Sequence, residues 1–319
     1  MNKRNNKIDY IRAICTLLVI LAHMDIPWIL NEIRTFDVVA LVLVSGLSIN
    51  YAEINGYINY IIKRIKKLVV PTYITITFIF LLSFVFCYLF RNNNQLFDAD
   101  TMLKSYLFAG GIGYIWIVKV YLAIALALPI IKNVIVERKK WFWVELVLFW
   151  GIYLVVEMFL GNNKIWYEYF FQTFPYILVA SIGVYLFYNP HCFSYIFTIF
   201  SLITIIYAIG YQGFTPSLYK FPPKGFYMAY GLATACGLYL LVPKKPNTIV
   251  NWISMNSFSI YLWHMVFLFI TNALGEVALF AWVCKWYFQF PIIVIASISL
   301  TYLQEWGKAK VSRIGRELD

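Results

Sequence analysis

Long apolar runs dominate this sequence and constrain its fold more than any other feature. About 20 apolar residues are enough for a helix to cross the hydrocarbon core of a bilayer, and such runs recur along most of the 319 residues. Hydrophobic residues make up 62% of the chain and charged residues 13%, whereas a soluble domain has about 25% charged residues. A membrane β-barrel would show alternating strands of roughly ten residues instead. The sequence therefore predicts an all-α, polytopic membrane protein.

We expect about ten transmembrane helices in a single domain that covers residues 1–319, with residues 304–319 forming a short basic cytoplasmic tail. The predicted spans are 11–30, 36–52, 68–90, 114–136, 141–160, 172–188, 192–209, 225–242, 257–274 and 281–303.

Basic residues gather in short clusters between the apolar runs, and their placement predicts the topology. With both termini in the cytoplasm, all of these clusters fall on the cytoplasmic side, as the positive-inside rule requires. The net charge of +11 therefore indicates orientation in the plasma membrane and not binding to nucleic acid. The clusters are Lys3, Arg4 and Lys7; Lys63, Arg64, Lys66 and Lys67; Arg138, Lys139 and Lys140; Lys244 and Lys245; and Lys308, Lys310, Arg313 and Arg316.

The first apolar run carries an arginine and a histidine that would lie in line along a helix. Arg12 and His23 are eleven residues apart, which is about 16 Å or three turns, and Asp9 precedes Arg12 by one turn, where it can pair with it. A titratable residue inside a span indicates a functional site, and histidine is suited to proton transfer near neutral pH. The alternatives are a membrane-surface anchor for Arg12 and a hydrogen-bonded core histidine for His23.

Further candidates lie in later runs. Arg64 and Lys67 are one helical turn apart at a cytoplasmic boundary, where they would hold either a phosphorylated ligand or lipid headgroups. His264 lies in the middle of an apolar run. Ser45 and Gly46 are small enough for close helix packing. No metal is expected, because His23 and His264 are the only intramembrane histidines and no pair of carboxylates accompanies them.

Five stretches occur in a fixed order, namely DYIRAICTLLVILAH, SG, KRIKKLVVP, YIWIV and SFSIYLWH. Together they resemble the acyltransferase-3 family of integral membrane O-acyltransferases over nearly the whole chain. The first is similar to the family's Asp-x-x-Arg followed by ten residues and a histidine, and the last is similar to its SYxxYLWH-type motif. The resemblance implies transfer of an acyl group, most often acetyl from acetyl-CoA, to a hydroxyl of an extracytoplasmic glycan or lipid-linked sugar. Acetyl-CoA would then be a donor substrate, and no permanently bound cofactor is expected.

The resemblance also implies roles for individual residues. Arg12 and His23 correspond to the residues on which the family most depends. Our hypothesis is that Arg12, Arg64 and Lys67 bind the acyl-CoA and that His23 acts as the general base, with transient acylation of His23 as the alternative. The residues expected on the acceptor side are Asp37, Trp116, Tyr261, Trp263 and His264.

The chain departs from the family pattern at three places. Leu43 and Val44 replace an aromatic pair before SG, Tyr114 stands where a histidine is often found, and the register of Asp37 is shifted. Trp116 also suits the interfacial aromatic belt of any membrane protein.

Other functions remain open. A polysaccharide or sugar exporter is the main alternative, because polar intramembrane residues also line transport pathways. An assembly factor in a polysaccharide synthesis complex is another, in which Arg12 and His23 would be replaceable. Within the enzyme class, succinyl is the alternative to acetyl.

Overall fold

The computed structural model describes residues 5–52, 54, 56–89, 97–276 and 278–318, and within these ranges all regular secondary structure is helical. This confirms the predicted all-α polytopic class. The helices are α1 Asn6–Leu21, α2 Trp28–Arg34, α3 Asp37–Ser48, α4 Tyr57–Leu89, α5 Ala99–Tyr106, α6 Trp116–Glu137, α7 Phe142–Leu160, α8 Lys164–Trp166, α9 Phe174–Tyr188, α10 Cys192–Gly210, α11 Gly225–Leu241, α12 Thr248–Met255, α13 Ser257–Gly275 and α14 Trp286–Leu318.

Seven helical segments of the described chain are long and apolar enough to cross a membrane. Each overlaps one predicted span. The remaining three predicted spans, 11–30, 36–52 and 225–242, fall on the shorter helices α1, α3 and α11, so the predicted count of ten is not confirmed. The seven segments are Tyr57–Leu89, Gly113–Glu137, Phe142–Leu160, Lys164–Tyr188, Cys192–Gly210, Ser257–Gly275 and Trp286–Lys310.

The first predicted span was wrong in its extent. Helix α1 ends at Leu21, and the chain then turns, with the His23 amide donating to the Ile20 carbonyl over 3.2 Å. Pro27 disfavours the helical conformation at the residue before it, which explains why the apolar run does not continue as one helix to residue 30. His23 therefore lies in the turn after α1 and not on the helix.

Helix α3 lies at the centre of the bundle. All of its residues except Ser45 and Ser48 are buried, and it packs against α1, α6, α9 and α11. Its closest contact is with α9, where a Cβ at Gly46 would overlap the carbonyl of Ala180 and one at Gly183 would overlap the carbonyl of Leu43. The close packing predicted for the Ser-Gly pair is confirmed at Gly46, whereas Ser45 lines a cavity on the other side of the helix contact.

Helix α14 is longer than its predicted span. It begins at Trp286 and continues to Leu318, so residues 304–318 of the predicted tail extend the last helix.

Candidate active site

A cavity of about 410 Å³ opens between α1, α3, α4, α6 and the α12–α13 junction. Its wall contains three cationic side chains, those of Arg12, Arg64 and Lys67, and a series of apolar residues from the same helices. We call it the basic cavity. The three residues that the sequence predicted as an acyl-CoA site are thus brought together, although they come from helices separated along the chain.

Arg12 is held on the wall of the basic cavity by serines from two other helices. One guanidinium nitrogen donates to Ser48 Oγ over 2.8 Å and the other lies 3.5 Å from Ser254 Oγ. Ser254 in turn donates to the buried carboxylate of Asp9 over 2.6 Å. Ser254 therefore links Asp9 and Arg12, and the guanidinium lies among polar groups of the protein.

Arg64 and Lys67 lie one turn apart on α4 and reach the basic cavity from its open end. The Arg64 guanidinium lies 5.0 Å from the ring centre of Tyr60, a cation–π contact that restricts its orientation. Lys67 and Lys66 are both solvent-exposed, but Lys66 does not line the cavity.

The histidines form a stacked pair beyond the far end of the basic cavity. The ring centres of His23 and His264 are 5.3 Å apart with 18° between their planes, and the His23 ring also meets Tyr114 edge-on at 4.5 Å. Tyr114 thus contacts His23 directly.

Tyr261 connects the histidine pair to the basic cavity. It lines that cavity, its hydroxyl donates to the Tyr114 carbonyl and its own carbonyl contacts His264 Nδ1. His264 is fully buried, and its Nε2 has no hydrogen-bond partner within the described residues. Tyr261 thus borders both the basic cavity and the His264 ring, whose centre lies 4.7 Å from that of Tyr261.

A second cavity, of about 680 Å³, is lined in part by His23. We call it the polar cavity. It is lined by His23, Asp25, Asn272, Ala281, Cys284, Lys285, Trp286, Tyr287 and Gln289. The sequence analysis did not identify Asn272 and Gln289. Each is an uncharged polar residue within an apolar run, and a polar residue inside a span indicates a functional site.

The other predicted acceptor residues do not line either cavity. Asp37 is buried and accepts from Arg34 over 2.7 Å. Trp263 donates to Gln304 across 3.3 Å on a groove that adjoins the basic cavity at Lys67, Met255 and Phe258. The Trp116 ring lies 5.3 Å from the ammonium of Lys220. Burial of this lysine in the loop lowers its pKa to about 8. The structure thus groups Tyr261 and His264 with His23, and leaves Asp37, Trp116 and Trp263 outside the group.

Comparison with known proteins identifies the class. The chain is a membrane-embedded acyltransferase: an acyltransferase domain model, that of the acyltransferase-3 family, matches residues 5–303. The chain belongs to the acyltransferase-3 family, as its motifs suggested. No match was found among curated proteins or among solved structures.

Proposed function

We propose that this protein is a plasma-membrane O-acyltransferase that moves an acetyl group from cytoplasmic acetyl-CoA to a hydroxyl of an extracytoplasmic or lipid-linked glycan. The observation that carries the proposal is the basic cavity, in which Arg12, Arg64 and Lys67 converge and which leads to Tyr261 beside the histidine pair.

The basic cavity suits the donor. Coenzyme A carries several phosphate charges, and Arg and Lys side chains bind phosphate through charge-assisted hydrogen bonds. Arg64 and Lys67 at the open end would hold the phosphates, and the apolar wall beyond Arg12, which includes Val19 and Ile117, would accommodate the pantetheine arm. The thioester would then reach the neighbourhood of Tyr261 and the histidines.

The chemistry assigned to His23 is general-base catalysis. His23 takes the proton of the acceptor hydroxyl while the hydroxyl oxygen forms a bond to the acyl carbon. The carbon–sulfur bond of the thioester breaks, and the departing CoA thiolate receives the proton from His23. The products are the O-acetylated acceptor and free CoA, so atoms and charge balance without a further reactant.

A complementation experiment tests this function. A strain lacking the gene receives wild type, His23→Ala or Arg12→Ala at equal protein levels, and the O-acetyl content of the surface glycan is measured by NMR. We expect wild type to restore O-acetylation and neither variant to do so. Unchanged O-acetyl content together with failure of the polymer to reach the surface would contradict the proposal and favour an exporter.

A further inference from the structure

The polar cavity and the basic cavity lie toward opposite ends of α13. Phe258 of α13 lines the basic cavity and Asn272 lines the polar cavity, and the 14 residues that separate them correspond to about 21 Å along the helix. His264 is on α13 between the two, and its stacked partner His23 lines the polar cavity. The histidine pair therefore lies between the two cavities along α13, and His23 lines only the polar one.

Two amide side chains at the polar cavity have complementary polar groups with no hydrogen-bond partner among the described residues. Gln289 is almost fully buried, and its Nε2 donates both to Thr271 Oγ1 over 3.0 Å and to Asn272 Oδ1 over 2.7 Å. Both protons of the Gln289 amide are thus used, so its oxygen remains as an acceptor, while Asn272 keeps its amide nitrogen as a donor. A hydroxyl group both donates and accepts hydrogen bonds, and it fits this pair.

The charges of the polar cavity differ from those of the basic cavity. It contains one acidic side chain, Asp25, and one basic side chain, Lys285, and neither forms an ion pair within the described residues. A multiply charged anion such as coenzyme A is better matched by the three cations of the basic cavity. The opposite charges of the polar cavity favour a ligand without net charge.

Aromatic rings complete the lining. Trp286 and Tyr287 both face the cavity, and their ring centres are 5.8 Å apart in an edge-to-face arrangement. Aromatic faces pack well against apolar C–H surfaces, which sugar rings present beside their hydroxyls. The volume also lies within the range of small-molecule sites, about 300–1,000 Å³.

We propose that the polar cavity is the acceptor site, and that it binds an uncharged sugar unit with one hydroxyl directed at His23. Asn272 and Gln289 orient the sugar through hydrogen bonds, and Trp286 packs against its ring. This inference rests on the proposed acyl transfer, and it assigns acceptor binding to residues other than Trp116 and Trp263.

Ala281 offers a direct test, because it lines the polar cavity while its side chain is exposed. Ala281→Trp would fill the cavity without overpacking the core, and Leu279→Trp is its matched control, because Leu279 is exposed in the same segment and does not line the cavity. Each full-length variant is produced in the strain lacking the gene, glycan O-acetyl content is measured by NMR, and binding of CoA to the purified protein is measured by calorimetry. We expect Ala281→Trp to lower O-acetylation at least tenfold with unchanged CoA affinity, and Leu279→Trp to match wild type in both.

Trp286→Ala provides a second test that does not add volume, with Trp282→Ala as its control, since Trp282 is in the adjoining segment but does not line the cavity. We expect only Trp286→Ala to reduce O-acetylation. The proposed acceptor site would be wrong if Ala281→Trp and Trp286→Ala both gave full O-acetylation. It would also be wrong if both variants lost CoA binding. If wild type itself neither binds CoA nor restores O-acetylation, the proposed function fails, and that result is distinct from failure of the acceptor site alone.

Discussion

At the scale of single residues, Arg64 and Lys67 have a natural control in Lys66 on the same helix. We expect Arg64→Gln and Lys67→Gln each to weaken CoA binding by about tenfold, equivalent to about 1.4 kcal/mol, because each removes a cation that lines the basic cavity. Lys66→Gln changes the net charge equally but does not alter the cavity lining. Calorimetric titration with CoA measures the affinity of all three variants. An equal loss of affinity in Lys66→Gln would show that the effect comes from surface charge in general.

His264 is expected to act as a positioning residue through its stacked contact with His23. His264→Phe keeps an aromatic ring in the stack but removes the nitrogen that contacts the Tyr261 carbonyl. We predict that kcat for acetyl transfer falls at least tenfold while KM for acetyl-CoA stays within about twofold, as measured on membranes with the native glycan. A raised KM with unchanged kcat would mean that His264 supports donor binding instead.

The candidate site could be predicted from the sequence where helical spacing alone decides which residues meet. Arg64 and Lys67 are three residues apart and do share a cavity. Trp263 and His264 were both expected on the acceptor side, but adjacent residues on a helix point about 100° apart, and Trp263 lines a groove that His264 does not. The polar cavity was beyond sequence reasoning because α13 and α14 meet there through Asn272 and Gln289, a contact that no spacing within one helix specifies.

At the scale of secondary-structure elements, the α3–α9 contact depends on two glycines. We expect Gly46→Ala to destabilise the protein by about 1–3 kcal/mol, the usual cost of overpacking, because the added Cβ would overlap the backbone of α9. Gly151→Ala is the control, since a Cβ there meets no atom within 4 Å and alanine favours the helix. Thermal unfolding in detergent compares them, and a Tm for Gly46→Ala equal to that of wild type would contradict this packing.

Element boundaries were predictable only in part. The seven long apolar helices followed from the lengths of their runs. Helix α3 has only 12 residues, about 18 Å of helix, and it resembles a membrane span in sequence because a helix buried by protein on all sides is as apolar as one that faces lipid. The end of α1 was missed because an apolar run continues past His23 although the backbone turns before Pro27.

At the scale of the whole molecule, the orientation in the membrane remains a prediction from the basic clusters, and α7 offers a compact test of it. Helix α7 spans Phe142–Leu160, about 28 Å, with Lys139 before it and Lys164 after it. One cysteine at a time is introduced at these positions in a protein whose Cys87, Cys192 and Cys284 are replaced by serine. Cells that carry each variant are treated with a membrane-impermeant maleimide. We expect Lys164→Cys to be labelled in intact cells and Lys139→Cys only after permeabilisation, and the reverse pattern would contradict cytoplasmic termini.

We propose that the protein transfers an acetyl group from cytoplasmic acetyl-CoA to a glycan on the other side of the membrane, with His23 as the general base. The strain lacking the gene is complemented with wild type or His23→Ala, and inside-out membrane vesicles are prepared from it. These vesicles expose the cytoplasmic face of the protein to acetyl-CoA labelled with ¹³C in the acetyl group. NMR of the glycan recovered from the vesicles is the most direct measurement. We expect labelled O-acetyl groups with wild type and none with His23→Ala. Unlabelled glycan with wild type, or equal labelling with His23→Ala, would contradict the proposal.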